Sequence, residues 1–261
     1  MQIAVPSATQ WPEIRHTELV NDSVTITVGA SGAATVVLVL SGKVTINVEL
    51  QHHAVLTVLC LQTQQATVHQ HATVGDNASI RWQNISLAAG TWTLASSLTG
   101  RHAVSDIDWI FYAHKDERQE LSACNTFEAG DGGGEITMKG VAEGSAHVQC
   151  NGFIAIGLNG GGTDTYLTEN VLMLDPTAKV DAIPGLEIKT NDVKASHSAT
   201  VSRVTADDLF YFGSRGLDTV SARRMYIAGF LQDLTQRIVD TDARAMVLDA
   251  IEEKWMRVMS S

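Results

Sequence analysis

Few residues of this 261-residue chain stand in patterns that could do chemistry. The three cysteines, Cys60, Cys124 and Cys150, are odd in number and widely spaced, which fits neither a disulfide framework nor a paired-cysteine zinc site. Reduced thiols are expected. His69 and His71 are two apart, so on a strand they share a face and could offer two nitrogens to a metal, but the sequence shows no third ligand. His52 and His53 are adjacent and, on a strand, would point to opposite faces. Acids are scarce between residues 23 and 100, where only Glu49 and Asp76 occur. The carboxylate pair of a carbohydrate-cleaving enzyme would have to come from Asp164, Glu169 and Asp175, which read as solvated acids in glycine-rich turns.

Motif absences narrow the field further. No GxxxxGK[ST] occurs, so the chain is not expected to bind a nucleotide triphosphate by a P-loop, and any ATP-driven work must come from a partner. There is no GxSxG, HExxH or CxxC. The glycine clusters at Gly132 to Gly134 and Gly160 to Gly162 lie among strand-like segments and not at a strand-to-helix step, so they read as tight turns. With 18 basic against 29 acidic residues the net charge is −11, without a long basic run, which argues against nucleic acid and against an anionic membrane surface. No apolar run approaches a membrane span, and the first twenty residues lack a secretory pattern. A cytoplasmic protein is expected.

The elements that must position these residues are mostly strands. Segments such as Ser23 to Val28, Ala34 to Leu40 and Lys43 to Val48 are rich in Val, Thr and Ile, and similar segments recur about every ten residues from residue 23 to residue 204. A sandwich, a barrel and a β-helix all fit this alternation, although even spacing and small bordering residues favour stacked coils. After residue 204 the pattern changes. Thr205 and Asp208 form a capping pair ahead of Leu209, Phe210 and Phe212, and Gly213 and Gly216 would stop that short helix. A second helix is expected from Asp218 to Ile238, with Ile227, Leu231, Leu234 and Ile238 in one apolar stripe, and a third from Thr241 to Met256, with Val247, Ile251 and Trp255 on one face. Asp249, Glu252, Glu253, Lys254 and Arg257 would mostly face water. The stripe of the second helix either packs on the β body or docks a partner, and two sides of the helix pair could do both. The division is therefore a β core over residues 1–204 and a helical region over 205–261.

Pro184 to Gly216, PGLEIKTNDVKASHSATVSRVTADDLFYFGSRG, resembles the most recognisable stretch of the SufB/SufD family of iron–sulfur cluster assembly scaffolds. The matching features are Leu186-Glu187, Asp192-Val193, Ser196 to Val201, Leu-Phe-Tyr and Ser-Arg-Gly; Thr163 to Asp175 resembles the family's preceding strands, and Ala222 to Leu234 matches its helical tail more loosely. The resemblance covers about 75 residues and is architectural before that. It implies a mainly β fold, a right-handed parallel β-helix with a short α-helical C-terminal region. It also implies a non-enzymatic scaffold of the SUF system that pairs with a SufB-like subunit or with itself, shares a nascent iron–sulfur cluster, and binds the ABC-type ATPase SufC through the helical region.

Where SufB-like chains carry His-Glu, this chain has His197-Ser198, the SufD-like form, and Thr163 to Asp175 lacks the cysteine that SufB-like chains present. The resemblance thus implies His197 as the cluster-assembly residue and metal ligand, a role suited to a neutral imidazole, a borderline ligand for iron. Cys150 is the second candidate, because thiolate is the usual ligand of such clusters. Arg215 is read as pinning the loop between helices through a carboxylate or carbonyls, and Arg215, Phe230 and Leu234 fall in the SufC-docking region. The family's usual helical N-terminal domain is not expected here. Competing readings are a self-associating structural β-helix and, more remotely, a polysaccharide-acting β-helix enzyme.

Overall fold

In a computed structural model, which describes residues 1–8 and 13–259, the chain is a parallel β-solenoid of about seven turns followed by three helices. Strands begin earlier than the expected residue 23. β1 is Gln2–Val5 and β2 Glu13–Val20, ahead of β3 Ser23–Val28, β4 Ala33–Leu50 and β5 Val55–Val74. Then follow β6 Ser79–Ser86, β7 Gly90–Leu98, β8 Val104–Ala113, β9 Arg118–Phe127, β10 Gly133–Ala142, β11 His147–Ile156 and β12 Thr163–Met173. The last coil holds β13 Lys179–Ala182, β14 Gly185–Ile188 and β15 Val193–Arg203.

Each coil lays one strand on each of two parallel stacks, which face each other across the lumen. One stack runs β2, the first half of β4, the first half of β5, β6, β8, β10, β12 and β15; the other runs β1, β3, the second halves of β4 and β5, β7, β9, β11 and then β13 with β14. The long strand β4 turns the corner between stacks at Gly42, whose φ of +70° suits glycine and where a Cβ would stand 2.2 Å from the Asn21 side chain. Coils lengthen along the chain: Ala34 pairs with Leu56, 22 residues on, whereas Gly133 pairs with Asp164, 31 residues on.

Alternation along each strand sends every second side chain inward, and register stacks these into columns. One column reads Val36, Val58, Trp82, Ile107, Ile136, Leu167, and the next Leu38, Cys60, Asn84, Trp109, Met138, Glu169. The polar members are paired inside: Gln70 and Asn84 exchange hydrogen bonds at 2.8 and 3.2 Å, Trp92 donates to Gln70 at 2.8 Å, and Trp109 donates to Ser86 at 3.0 Å. These bonds remove most of the cost of burying polar groups.

The helices are α1 Ala206–Ser214, α2 Thr219–Gln236 and α3 Thr241–Met259. The Thr205/Asp208 capping box forms, and Asp218 caps α2; the side chain of Leu209 lies outside the described residues. α2 and α3 return to the outer face of the stack containing β8 and β10. There Ile227, Leu231, Leu234, Val247 and Trp255 join Val37, Leu59, Ile85 and Val141 in a second buried cluster. The stripe on α2 therefore covers the chain's own sheet. Leu234 is 1% exposed, so a partner cannot reach it in this arrangement. Ion pairs fix the helices in place: Arg223 reaches Glu143 at 3.3 Å and Asp175 at 3.0 Å, Arg237 meets Asp108 at 2.6 Å, and Lys254 bonds both oxygens of Glu117 at 2.6 Å. Lys254, expected in water, is not there: its side chain is 11% exposed, and its ammonium lies 5.9 Å from the Tyr112 ring centre. Among the described residues no helix is long and apolar enough to cross a membrane.

Truncating Leu234 removes apolar surface from this seam without room for collapse. Leu234→Ala is expected to lower unfolding free energy by about 2–5 kcal/mol, measured by denaturant titration.

Candidate functional site

Two of the candidate residues, His197 and Cys150, lie in the last coils of the solenoid, toward its C-terminal end. β15 is the outermost strand of its stack and pairs only with β12, so one whole side of its backbone is unpaired by the described residues. His197 sits in register with Leu167, which places it at the open end of the apolar column that begins at Val36. It is exposed, with an exposed Ser196 before it and a half-buried Ser198 after it. A histidine thus ends a column that is otherwise hydrophobic, at a strand over which no further coil is stacked among the described residues.

Cys150 lies across the lumen on β11, 0% exposed, in register with Leu121 beneath and Ala182 above. Burial pushes its thiol well above the usual range, and the charge of Glu169 adds to that, so the thiol stays protonated. Cys60 is raised in the same way by burial, and Cys124 on the outer face less so; all three are free.

Glu169 corrects the reading of a solvated acid. It is 0% exposed, on the inward face of β12 between Leu167 and Val171. Its Oε1 accepts the Gly152 N–H at 2.6 Å, and its Oε2 has no hydrogen-bond partner among the described residues. Burial raises its carboxyl from 4.5 to about 7, the hydrogen bond from Gly152 offsetting part of the effect. A Cβ on Gly152 would fall 2.3 Å from Leu167 and 3.1 Å from the Glu169 oxygen, so glycine is what lets this carboxylate enter the lumen. The signal was present in sequence: in Thr163 to Met173 the acid takes the same parity as Leu167 and Val171. Its companions differ. Asp164 is exposed beside Lys194, and Asp175 serves the Arg223 anchor, so these three acids do not converge.

The remaining candidates lie elsewhere. Arg215 makes no ion pair among the described residues; it caps α1 and lays its guanidinium over Tyr211, 5.4 Å from the ring centre. Phe230 is half-buried under Lys139, 4.6 Å from its ammonium. His69 and His71 face outward on one strand as expected, with His69 bonded to Thr93 at 2.9 Å. His52 and His53 occupy a turn, not a strand, and their rings meet edge to face. Among the described residues no three His, Cys, Asp or Glu stand close enough together to hold a metal ion by themselves.

Because Glu169 binds its proton more tightly folded than unfolded, its contribution is most favourable below pH 4.5 and is lost as pH rises through about 7. Glu169→Gln removes this dependence. Wild type is expected to lose on the order of 3 kcal/mol relative to the variant between pH 4.5 and 8, read from paired denaturation curves across that range.

Residues 14–230 match the family described as "SUF system FeS cluster assembly, SufBD core domain". Similar curated proteins include an iron–sulfur cluster assembly SufBD family protein of Mycobacterium tuberculosis (strain ATCC 25618 / H37Rv), 28% identical over 141 residues, which are 54% of this chain and 17% of that protein. A second such protein of the same strain is 27% identical over 201 residues, 72% of this chain and 51% of its own length. The iron–sulfur cluster assembly protein SufD of Escherichia coli (strain K12) is 38% identical over 104 residues, 40% of this chain and 25% of SufD. The chain thus spans at most about half of these relatives. A parallel solenoid with this match over most of its length makes the chain a member of the SufBD family of iron–sulfur cluster assembly proteins.

Proposed function

We propose that the chain is a SufD-like scaffold subunit of the SUF system, acting in the cytoplasm without enzymatic activity of its own. The observation that carries this reading is β15: an 11-residue parallel edge with one side open, presenting an exposed histidine at the end of the lumen. Such an edge accepts a further strand. Its partner is a SufB-like subunit, with a second copy of this chain as the other candidate, and the nascent cluster is cargo shared across that junction. His197-Ser198 and the similarity to SufD favour the SufD-like role.

A SufC-like ATPase supplies the nucleotide-driven step and docks on the helical region. Since Leu234 is buried against the sheet, docking falls to the apolar surface left outside. Phe210 is 76% exposed, Tyr211 57% and Met225 52%, and Arg215 lies over Tyr211 in the same region. Removing residues 217–261 would uncover the sheet beneath α2 and α3, so point substitutions are the cleaner test.

The double variant Phe210→Asp with Tyr211→Asp is expected to abolish co-purification of a SufC-like ATPase while leaving the thermal midpoint unchanged; retained capture refutes the docking surface. His197→Ala is expected to lower the iron and acid-labile sulfide recovered with the reconstituted complex, and an unchanged yield removes it from the assembly step.

A further inference from the structure

The mouth of the lumen is covered thinly at one place. On the side of β12, the residue stacked over Glu169 is Ala199, an exposed position with a single methyl. On the opposite side the last coil is interrupted: β13 ends where Ala182 pairs with Cys150, and β14 resumes where Gly185 pairs with Phe153. Asn151 and Gly152 have no partner in that coil, and Ile183 turns outward, 61% exposed. The break therefore falls directly over the glycine that holds the Glu169 carboxylate.

A carboxylate enclosed in an apolar lumen with one oxygen unsatisfied is expensive, and the surrounding stack would be more stable with an apolar residue there. All other inward positions of its column are apolar or, like Asn84, hydrogen-bonded. A cation offsets that cost directly. His197 is the diagonal neighbour of Glu169 on the same inward face, one strand out and two residues back, in register with Leu167. A transition-metal ion lies ~2 Å from each nitrogen or oxygen donor, and two long side chains on one face of neighbouring strands are the kind of pair that can converge on it. Carboxylate with imidazole suits a divalent first-row transition metal better than magnesium or calcium, which prefer oxygen-only shells.

We propose that Glu169 is a cation-binding carboxylate at the C-terminal mouth, its vacant Oε2 taking ferrous iron in transit with His197 as the second donor. The inference deepens the scaffold reading and rests on it for the identity of the cargo. Two donors leave coordination positions open, which water fills in the free chain and the facing subunit fills in the assembly. Cys150 keeps its proton and is not required.

Cobalt(II) is a suitable probe, since its visible absorption reports coordination independently of cluster assembly. Titrated into the full chain near neutral pH, wild type is expected to take up one Co2+ per chain, with a dissociation constant below about 1 mM. Glu169→Gln, nearly isosteric and without the charge, is expected to weaken binding about tenfold or more, and His197→Ala to do likewise. Asp164→Asn, on the outward face of the same strand, should leave it unchanged. Unaltered Co2+ affinity in Glu169→Gln, or no saturable uptake by wild type, overturns the proposal. Thermal midpoints for each variant exclude loss by unfolding. ATPase capture by the same proteins separates the two claims: uptake that depends on Glu169 without any capture upholds the cation site and refutes the scaffold role.

Discussion

In-register stacking of parallel strands governs this molecule, because each coil must place the same kind of side chain above its predecessor or break the column. Backbone hydrogen bonds set the spacing between coils, and alternation sets which residues enter the lumen. The apolar column from Val36 to Leu167 meets this demand with Val, Trp, Ile and Leu, and the neighbouring column admits Asn84 only because Gln70 satisfies it from the opposite stack. Glycine resolves the remaining conflicts. A Cβ on Gly140 would collide with the Phe111 ring, and one on Gly152 with Leu167, so bulk on one strand is accommodated by absence on another.

The same rule explains why an exposed histidine and a buried, half-satisfied carboxyl stand together at one end. Within the stack, each inward residue has a neighbour above and below; at β15 the upper neighbour is missing, and a histidine can occupy a core-facing position while remaining in solvent. Glu169 is one coil deeper and lacks that freedom, which accounts for its raised carboxyl and its unsatisfied oxygen. The helices contribute by closing the outer face of one stack through an apolar seam bordered by Arg223, Arg237 and Lys254, each paired with an acid on the β body. The desolvation cost of those pairs is repaid in geometry, since truncating one partner would strand a buried charge.

Much of this could be read from the residues alone, and the rest for identifiable reasons could not. Strands after residue 23, the Thr205/Asp208 cap, the Asp218 start of α2 and the stripes of α2 and α3 follow from local patterns, and local patterns decide them. β1 and β2 escaped because a four-residue strand and one broken by charged residues carry little periodic signal. Sandwich and solenoid were inseparable by alternation, since both bury every second residue; the family resemblance distinguished them. Glu169 was misread because type outweighed parity: an acid among glycine-rich turns suggests solvent, whereas its spacing from Leu167 and Val171 places it inside. Which side of the α2 stripe is covered depends on the curvature of the connection at Arg237 to Asp240, a tertiary property that helical periodicity does not encode.

The open backbone of β15 also bears on how copies of such a solenoid can join. Joined to another β15 across a two-fold axis, the two edges run antiparallel and the assembly closes; joined to the opposite end of another solenoid, parallel pairing would continue without limit. An open parallel edge of this kind therefore carries a choice of growth: a two-fold joint ends the stack at two solenoids, whereas head-to-tail joining has no built-in end.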